Sequence, residues 1–568
     1  MFNPVAPKPV EFQVDIMGQW MPVTKVLWAI VFVIGISAYL SVVHLDNTYL
    51  WDDEASVAIF AKNVLTTGTI TGWDGRNLWG YRNGTVLRKD FTSNNPPLDI
   101  LLTAVSFRLF GPSTWSARFP FTVVGLAALV LLVILVREDF GGQGWLSIYA
   151  VSCLGLSVPF LLNIRQCRYY ALSLFLGLLT FYLYRQCLRT RKFSWLLLLS
   201  IASTLLFYAN WLLCAAFLLT LGGLHLTFYR HAFNRRDWGR VAVAVTVFVA
   251  ATFPYAMTFR IWERPDIPTS EVWHIRKLTL LWWNIRELNV IGFFPWILAL
   301  GLLFCLIGFR KRQPELTRMA REWLFLGLGN VLVIALLSPQ PTDLSILADV
   351  RYLIVSLPFL MGLIALLVWF IHQKTPVVAF AVFGTFLFSN IFSAIPLNWE
   401  FRWLLPAYIQ EIHHDYPTSN REVVRFLEEH ARQDDLVFAT PYHYNYPLMF
   451  YLGDRLTFCC YLSKNTHLPI ERLRELGSPL FVDEHYPKWL IAFGALPRVS
   501  FLLDTFSRPH RRNGQLVKYE YQLFETLRVY WRQTQRPELF WHSFGPKTDF
   551  NRQTQAVYIL KRTGGESE

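Results

Sequence analysis

The stretch VLWAIVFVIGISAYLSVVHLDNTYLWDDEA, residues 26–55, decides the fold. Residues 26–44 contain no Asp, Glu, Lys or Arg, and a membrane crossing takes about 20 such residues. The run is longer than the apolar core of a signal peptide and no small-residue cleavage site follows it, so it is expected to stay as a helix. Three consecutive acids, Asp52, Asp53 and Glu54, come soon after it. Outward from here the pattern repeats. Further apolar runs lie at 119–136, 145–162, 170–184, 193–209, 211–228, 241–259, 289–309, 323–338, 352–371 and 376–395. A shorter one, 97–110, holds Asp99 and Arg108. The chain of 568 residues is 53% hydrophobic and only 16% charged. That average hides two unlike parts: apolar runs to about residue 396, then an ordinary mixed sequence to the end.

Charge gives the runs a direction. The net charge of +13 sits in short clusters between apolar runs: Arg185, Arg189, Arg191 and Lys192; then Arg230, Arg235, Arg236 and Arg240; then Arg310, Lys311, Arg312, Arg318 and Arg321. This is the positive-inside pattern of a membrane protein and not the continuous patch of a nucleic-acid binder. If 97–110 lies in the membrane interface, all three clusters fall on the cytoplasmic side together with Lys8 and Lys25. The expected fold is therefore a polytopic α-helical membrane protein with about 11 to 13 transmembrane helices, and with a C-terminal extracytoplasmic α/β domain. Residues 1–396 form the membrane domain, with the first loop 45–118 outside, and 397–568 form the second domain. The segments 163–169, 260–288 and 339–351 also fall outside. In the C-terminal part the strands expected are 436–440, 455–460, 489–494, 519–525 and 556–562, with a helix over 422–431. No phosphate loop or nucleophile elbow occurs there, so the domain reads as a substrate-guiding cap. The seven cysteines show no metal-ligand spacing, and the adjacent Cys459 and Cys460 read as an inert pair in a strand. His413 and His414 have no third ligand near them in sequence and read as surface residues.

WDDEA, 51–55, is the sharpest chemical feature. Three adjacent acids at a membrane surface repel one another unless they are used, and transfer to a hydroxyl or amine needs a carboxylate to take or orient the acceptor proton. The bland alternative is an acidic first turn opposing the dipole of the following helix. Position alone does not separate the two.

The residues that follow add a resemblance. ASVAIFAKNVLTTG at 55–68, NNPPL at 94–98, LFGPSTWSARFP at 109–120, NIRQCRYYAL at 163–172 and RYLIVSLPF at 351–359 occur in one order. That order resembles the C-superfamily (GT-C) membrane glycosyltransferases, in the branch holding protein O-mannosyltransferases and the lipid A aminoarabinose transferase. The resemblance spans roughly residues 25–400. It implies an inverting glycosyltransferase that moves a hexosyl or pentosyl group from a polyprenyl- or dolichyl-phosphate donor to a lipid, glycan or protein acceptor outside the cytoplasm. The cell would be bacterial, and the membrane the inner or plasma membrane. The family's catalytic Asp falls on Asp53, with Glu54 beside it and Asp52 as an extra acid. Arg165, Arg168 and Arg351 are the candidates for the donor phosphate, with Arg88 and Lys89 as further cations in the first loop. Most arginines at helix ends simply snorkel to the interface, which is the alternative for each. Asn95 stands where the aminoarabinose-transferase pattern has a Lys. The second turn carries Asn163, Arg165 and Gln166 where relatives have an acid, so a transfer without cofactor or metal is favoured over a metal-assisted one. The bilayer and the lipid donor are the expected partners; nucleic acid is not. A transporter or lipid flippase is the rival reading. It calls for repeated halves and ionisable groups at mid-membrane, and the sequence offers neither.

Overall fold

The computed structural model describes residues 23–141, 143–259, 273–290, 294–310, 313–338, 350–395, 401, 403–414, 417–462, 466–494, 496–507, 510–512, 515–530 and 554–564. Most of the expected outer segment 339–351, the first half of 260–288 and Trp262 lie outside the described residues. The described residues fall into two compact units. One takes those of Met1–Val43 and Phe121–Glu411; the other takes those of His44–Pro120, Ile412–Ser543 and Lys547–Glu568.

The first unit is the helical membrane body. Six described helices are long and apolar enough to cross a bilayer: Thr24–Val42, Thr114–Asp139, Tyr170–Thr190, Trp211–Phe228, Arg235–Thr258 and Pro314–Leu337. The bent pair Gly144–Gly155 and Val158–Ile164 makes a seventh, and Phe193–Ala209, Trp296–Gly308, Leu357–His372 and Pro376–Phe388 are shorter apolar helices. Each apolar run expected to span therefore coincides with a helix or a bent pair. The first seven helices are α1 (Val23–Val42), α2 (Asp52–Thr67), α3 (Leu98–Phe110), α4 (Thr114–Asp139), α5 (Gly144–Gly155), α6 (Val158–Ile164) and α7 (Tyr170–Thr190).

One expected straight span is broken. Between α5 and α6 the chain turns by 60°. Pro159 in the first turn of α6 cannot continue the ladder from α5. Ser37 of α1 donates its hydroxyl to the Gly155 carbonyl at 2.9 Å, satisfying an acceptor near the break. At the far end of the unit a buried charge network ties four helices. Arg185 pairs with Asp139 and with Glu322, each at 3.0 Å. Trp323 Nε1 donates to Asp139 at 2.9 Å, and the Tyr229 hydroxyl to Glu322 at 2.8 Å. The C-terminal ends of α4, α7 and Trp211–Phe228 thus meet the N-terminal part of Pro314–Leu337. The described residues of the three basic clusters flank these helix ends.

The second unit is built on a five-stranded sheet of order β2-β1-β3-β7-β6. Its strands are β1 (Leu436–Thr440), β2 (Thr457–Phe458), β3 (Trp489–Phe493), β6 (Glu520–Tyr530) and β7 (Thr554–Gly564); β4 (His510–Arg512) and β5 (Gln515–Val517) pair apart as a ladder. β1 runs parallel to both β2 and β3, while β7 is antiparallel to β3 and β6. β3 is central, and all five of its residues are buried, which explains its unbroken apolar run. The helix over 419–430 and Leu496–Phe506 cover the sheet. Every strand expected from the sequence is present, β2 being shorter than RLTFCC suggested. Cys459 and Cys460 are free and buried.

The first loop belongs to this sheet unit. Asn77 in the loop donates to the Gly453 carbonyl at 3.0 Å and accepts from Phe458 N at 2.8 Å. The Tyr461 hydroxyl donates to the Trp79 carbonyl at 2.8 Å. At Gly84, where φ is +87°, a Cβ would lie 2.7 Å from Leu468 Cγ, so both backbone and neighbour call for glycine.

Candidate active site

The acids open α2. Asp52, Asp53 and Glu54 form its first turn, Trp51 at the N-cap makes no side-chain cap bond, and Gly68 closes the helix in the left-handed region. This is the placement that the helix-dipole reading expects, so the side chains decide what else each acid does. Glu54 is 0% exposed and Arg118 3%. They form a two-pronged pair, Arg118 Nε to Glu54 Oε1 at 2.9 Å and Nη2 to Oε2 at 2.7 Å. The other prong of Arg118 donates to the carbonyls of Leu45 and Thr48 at 2.9 and 2.8 Å. Glu54 thereby fastens the start of α2 to the segment before it.

That segment is held from the C-terminal side as well. Leu50 donates its N–H to the Tyr451 hydroxyl at 2.9 Å and accepts from Asn420 Nδ2 at 3.1 Å. Tyr49 stacks on Tyr451 with ring centres 4.1 Å apart. The backbone leading into Asp52 is therefore set by the helices Ser419–His430 and Asn445–Leu452 and by the first turns of α4.

Asp52 and Asp53 are half-buried. Asp53 lies within electrostatic reach of His443, and Asp52 within reach of Tyr444. Both partners sit in the turn that leaves β1. Burial drives the His443 pKa down to about 4, an effect that the Asp53 charge opposes and Arg498 adds to, so the ring is neutral at pH 7. The Tyr444 hydroxyl is pushed far up by burial, with the Asp52 charge in the same direction. Asn445 fixes this turn: it accepts from Ala439 N at 3.0 Å and donates to the Ala439 and Tyr442 carbonyls at 3.1 and 2.8 Å. Sequence reading missed His443, Tyr444 and Arg498. The signal was available in PYHYNYP, 441–447, an aromatic run at the carboxyl end of the expected strand 436–440, where open α/β sheets place their ligands.

The cationic candidates lie in the membrane unit. Arg165 is buried and donates to the carbonyls of Leu40 and Val43 at 3.1 and 2.8 Å, so it caps the end of α1. Arg168 and Arg351 converge on one side chain. Both act electrostatically on buried Tyr169; Arg168 lies 5.3 Å from the Tyr169 ring centre, and Arg351 donates to the Tyr170 hydroxyl at 3.4 Å. Arg351 enters from the short 3-10 turn Val350–Leu353. Among the described residues no group of three or more His, Cys, Asp or Glu could hold a metal ion. His413 and His414 are exposed, and His413 meets His44 edge to face.

No family model matches the sequence, and no curated protein matches it. Solved structures do. The crystal structure of ArnT from Cupriavidus metallidurans in the apo state superposes with a TM-score of 0.53 at 14% identity, covering 94% of this chain and 98% of that one. The same protein bound to undecaprenyl phosphate gives 0.49 at 14% identity over 87% and 98%. The archaeal oligosaccharyltransferase AglB from Archaeoglobus fulgidus, in complex with an inhibitory peptide and a dolichol-phosphate, gives 0.47 at 12% over 84% and 70%. At such identities a match shows fold, and the first of these shows it along nearly the whole length of both chains. The chain therefore shares the fold of the ArnT structure along nearly the whole of both chains.

Proposed function

We propose that the protein is an inverting membrane glycosyltransferase that takes its sugar from a polyprenyl- or dolichyl-phosphate donor, with Asp53 as the base. The division of labour in the first turn of α2 carries this reading. Glu54 has both oxygens engaged by Arg118 and serves as a positioning residue, while Asp53 stays half-buried beside a neutral imidazole. A carboxylate so placed can accept a proton. The acceptor oxygen or nitrogen attacks the anomeric carbon from the face opposite the lipid phosphate. Its proton goes to Asp53, and the bond to the phosphate oxygen breaks with its electron pair leaving on the phosphate. Arg168 and Arg351 offset the charge that grows there. Arg165 acts from behind by capping α1 and holding the 163–169 turn. The acidic and sheet-bearing side faces away from the cytoplasm, as the basic clusters require, in a bacterial inner or plasma membrane. The transfer runs without a metal.

The test follows sugar transfer from a purified polyprenyl-phosphate hexose in nanodiscs. Asp53→Asn removes the charge and nearly keeps the volume, so turnover should fall by roughly 10²–10⁴, with Asp52→Asn much milder. Arg351→Ala should slow the chemical step and weaken donor use together. EDTA should leave turnover unchanged. Full activity in a folded Asp53→Asn protein would overturn the assignment of the base.

A further inference from the structure

The basic residues that flank the membrane helices are not all used alike. Arg185 and Arg189 pair with Asp139, Glu322 and Glu138, and Arg318 pairs with Glu315 and Glu322. Arg191, Lys192, Arg230, Arg235 and Arg236 are exposed, and no described carboxylate pairs with them. The fold gathers these unpaired cations. After α7 come α8 (Phe193–Ala209), α9 (Trp211–Phe228) and α10 (Arg235–Phe259). α10 packs chiefly on α8. There the Ser200 hydroxyl donates to the Ala244 carbonyl at 2.8 Å, and the Tyr208 hydroxyl to that of Ala251 at 2.6 Å. The turn after α7 thereby meets the start of α10, where Arg240 Nη1 donates to the Arg191 carbonyl at 3.0 Å. Arg236 lies one turn before Arg240 on the same face of α10, the face turned to Arg191 and Lys192. Asp237, the acid of this turn, is buried and already engaged by Asn234 N at 3.2 Å and Arg240 at 3.6 Å. Arg191 closes α7 with φ at +53°, where glycine is the usual residue, so an arginine stands here against the backbone's preference.

We propose that this corner binds an anionic glycerophospholipid, its phosphodiester held by the cations and its acyl chains laid on α8 and α10. Guanidinium N–H groups match phosphate oxygens in geometry and charge. A zwitterionic headgroup brings its own ammonium into the same corner and loses most of the attraction. The surroundings favour a lipid over a soluble phosphate. Trp238, 45% exposed, is braced edge to face by Phe233 and His225 at the level of the cations, the place of an interfacial anchor. Further along, Ile201 and Leu205 of α8 and Val245 and Val249 of α10 are exposed, an apolar surface that only acyl chains would use. Unpaired cations beside such a surface are the recognised setting for an anionic lipid. The site stands apart from the transfer chemistry and does not depend on it.

The experiment is native mass spectrometry of the full chain in detergent, with phosphatidylglycerol and phosphatidylcholine of identical acyl chains as probes. The wild type should prefer phosphatidylglycerol by roughly tenfold or more, and added salt should weaken the preference. Arg236→Gln should reduce it by about fivefold, and Arg191→Gly with Arg236→Gln should abolish it. Arg310→Gln removes the same charge as Arg236→Gln at the exposed end of Trp296–Phe309 and should leave the preference intact. Glycine suits the backbone at 191, so the double variant should melt like the wild type without added lipid; should it not fold, Lys192→Gln with Arg236→Gln carries the same prediction. Equal binding of the two lipids by the wild type, an undiminished preference in the double variant, or an equal loss in Arg310→Gln would each overturn the proposal. So would displacement of the lipid by an equal concentration of glycerol phosphate, which would show a phosphate site without a role for the apolar surface.

Discussion

Glu54 is an anion sealed from water, and Arg118 is what makes that tolerable. Removing one partner of a buried ion pair leaves the other charge uncompensated, at a cost of about 3–5 kcal/mol. Glu54→Gln and Arg118→Ala should both lower the melting temperature of the purified protein well before any catalytic argument applies; melting curves like the wild type's would show that the pair carries no structural weight. His443 gives a pH signature of known sign. Its folded pKa of about 4 lies below the ordinary 6.5, so the folded state resists the proton that the unfolded chain accepts. The stability this residue provides is full above about pH 6.5 and drains as pH falls towards 4, by up to about 3 kcal/mol. Comparing wild type with His443→Gln at pH 7 and pH 4.5 isolates it: the wild type should lose more on acidification, and equal losses would count against a buried neutral ring. The acidic motif was plain in the sequence because three adjacent acids after an apolar run are rare by composition. The differing roles of those acids were not. They depend on Arg118, Tyr444 and His443, which are brought in from afar by the fold.

Among the elements, α3 shows how a short apolar run divides its loyalties. Ile100, Thr103, Ala104 and Phe107 are buried, with α2 as the packing partner, while Leu101, Val105 and Leu109 are exposed. Those three lie at intervals of four and share one face. At 13 residues the helix is too short to cross a bilayer, and an exposed apolar stripe with Arg108 at its edge suits a helix lying in the headgroup region. A spin label at Val105 should report contact with lipid near the interface, whereas one at Thr103 should not. A label at Val105 fully accessible to a water-soluble relaxant would remove the interfacial assignment. The kink between α5 and α6 was harder to foresee. Gly155 and Pro159 were visible, but they lay inside an apolar run long enough to read as one span, and hydropathy does not register a bend.

At the scale of the molecule, the first loop and the C-terminal sheet form one unit although the membrane body separates them in sequence. Among the described residues, ten apolar helices or bent pairs lie between α3 and the sheet, four of them shorter than a full span. Deleting residues 412–568 should expose the loop: trypsin should then cut at Lys62 and Arg76, sites that the intact protein protects. Lys62 and Arg76 are otherwise paired with Asp454 and Asp434. An equally resistant loop in the truncated chain would show that the loop folds alone. The spans and strands were legible because hydropathy and alternation are local properties. The union of loop and sheet was not, since its contacts join residues more than 350 positions apart.

That separation has a consequence in time. Asn77 leaves the ribosome long before Phe458, its partner 381 residues away. At ordinary rates of synthesis the interval is roughly 20–80 seconds. Throughout it, the stretch bearing Asp53 lacks Tyr451, Asn420 and His443, which position it or lie beside it in the finished protein. On the function proposed above, a nascent chain already threaded into the bilayer is expected to be inert towards any activated lipid it meets. Competence would then arrive only with the C-terminal domain, and unfinished copies would not squander donor.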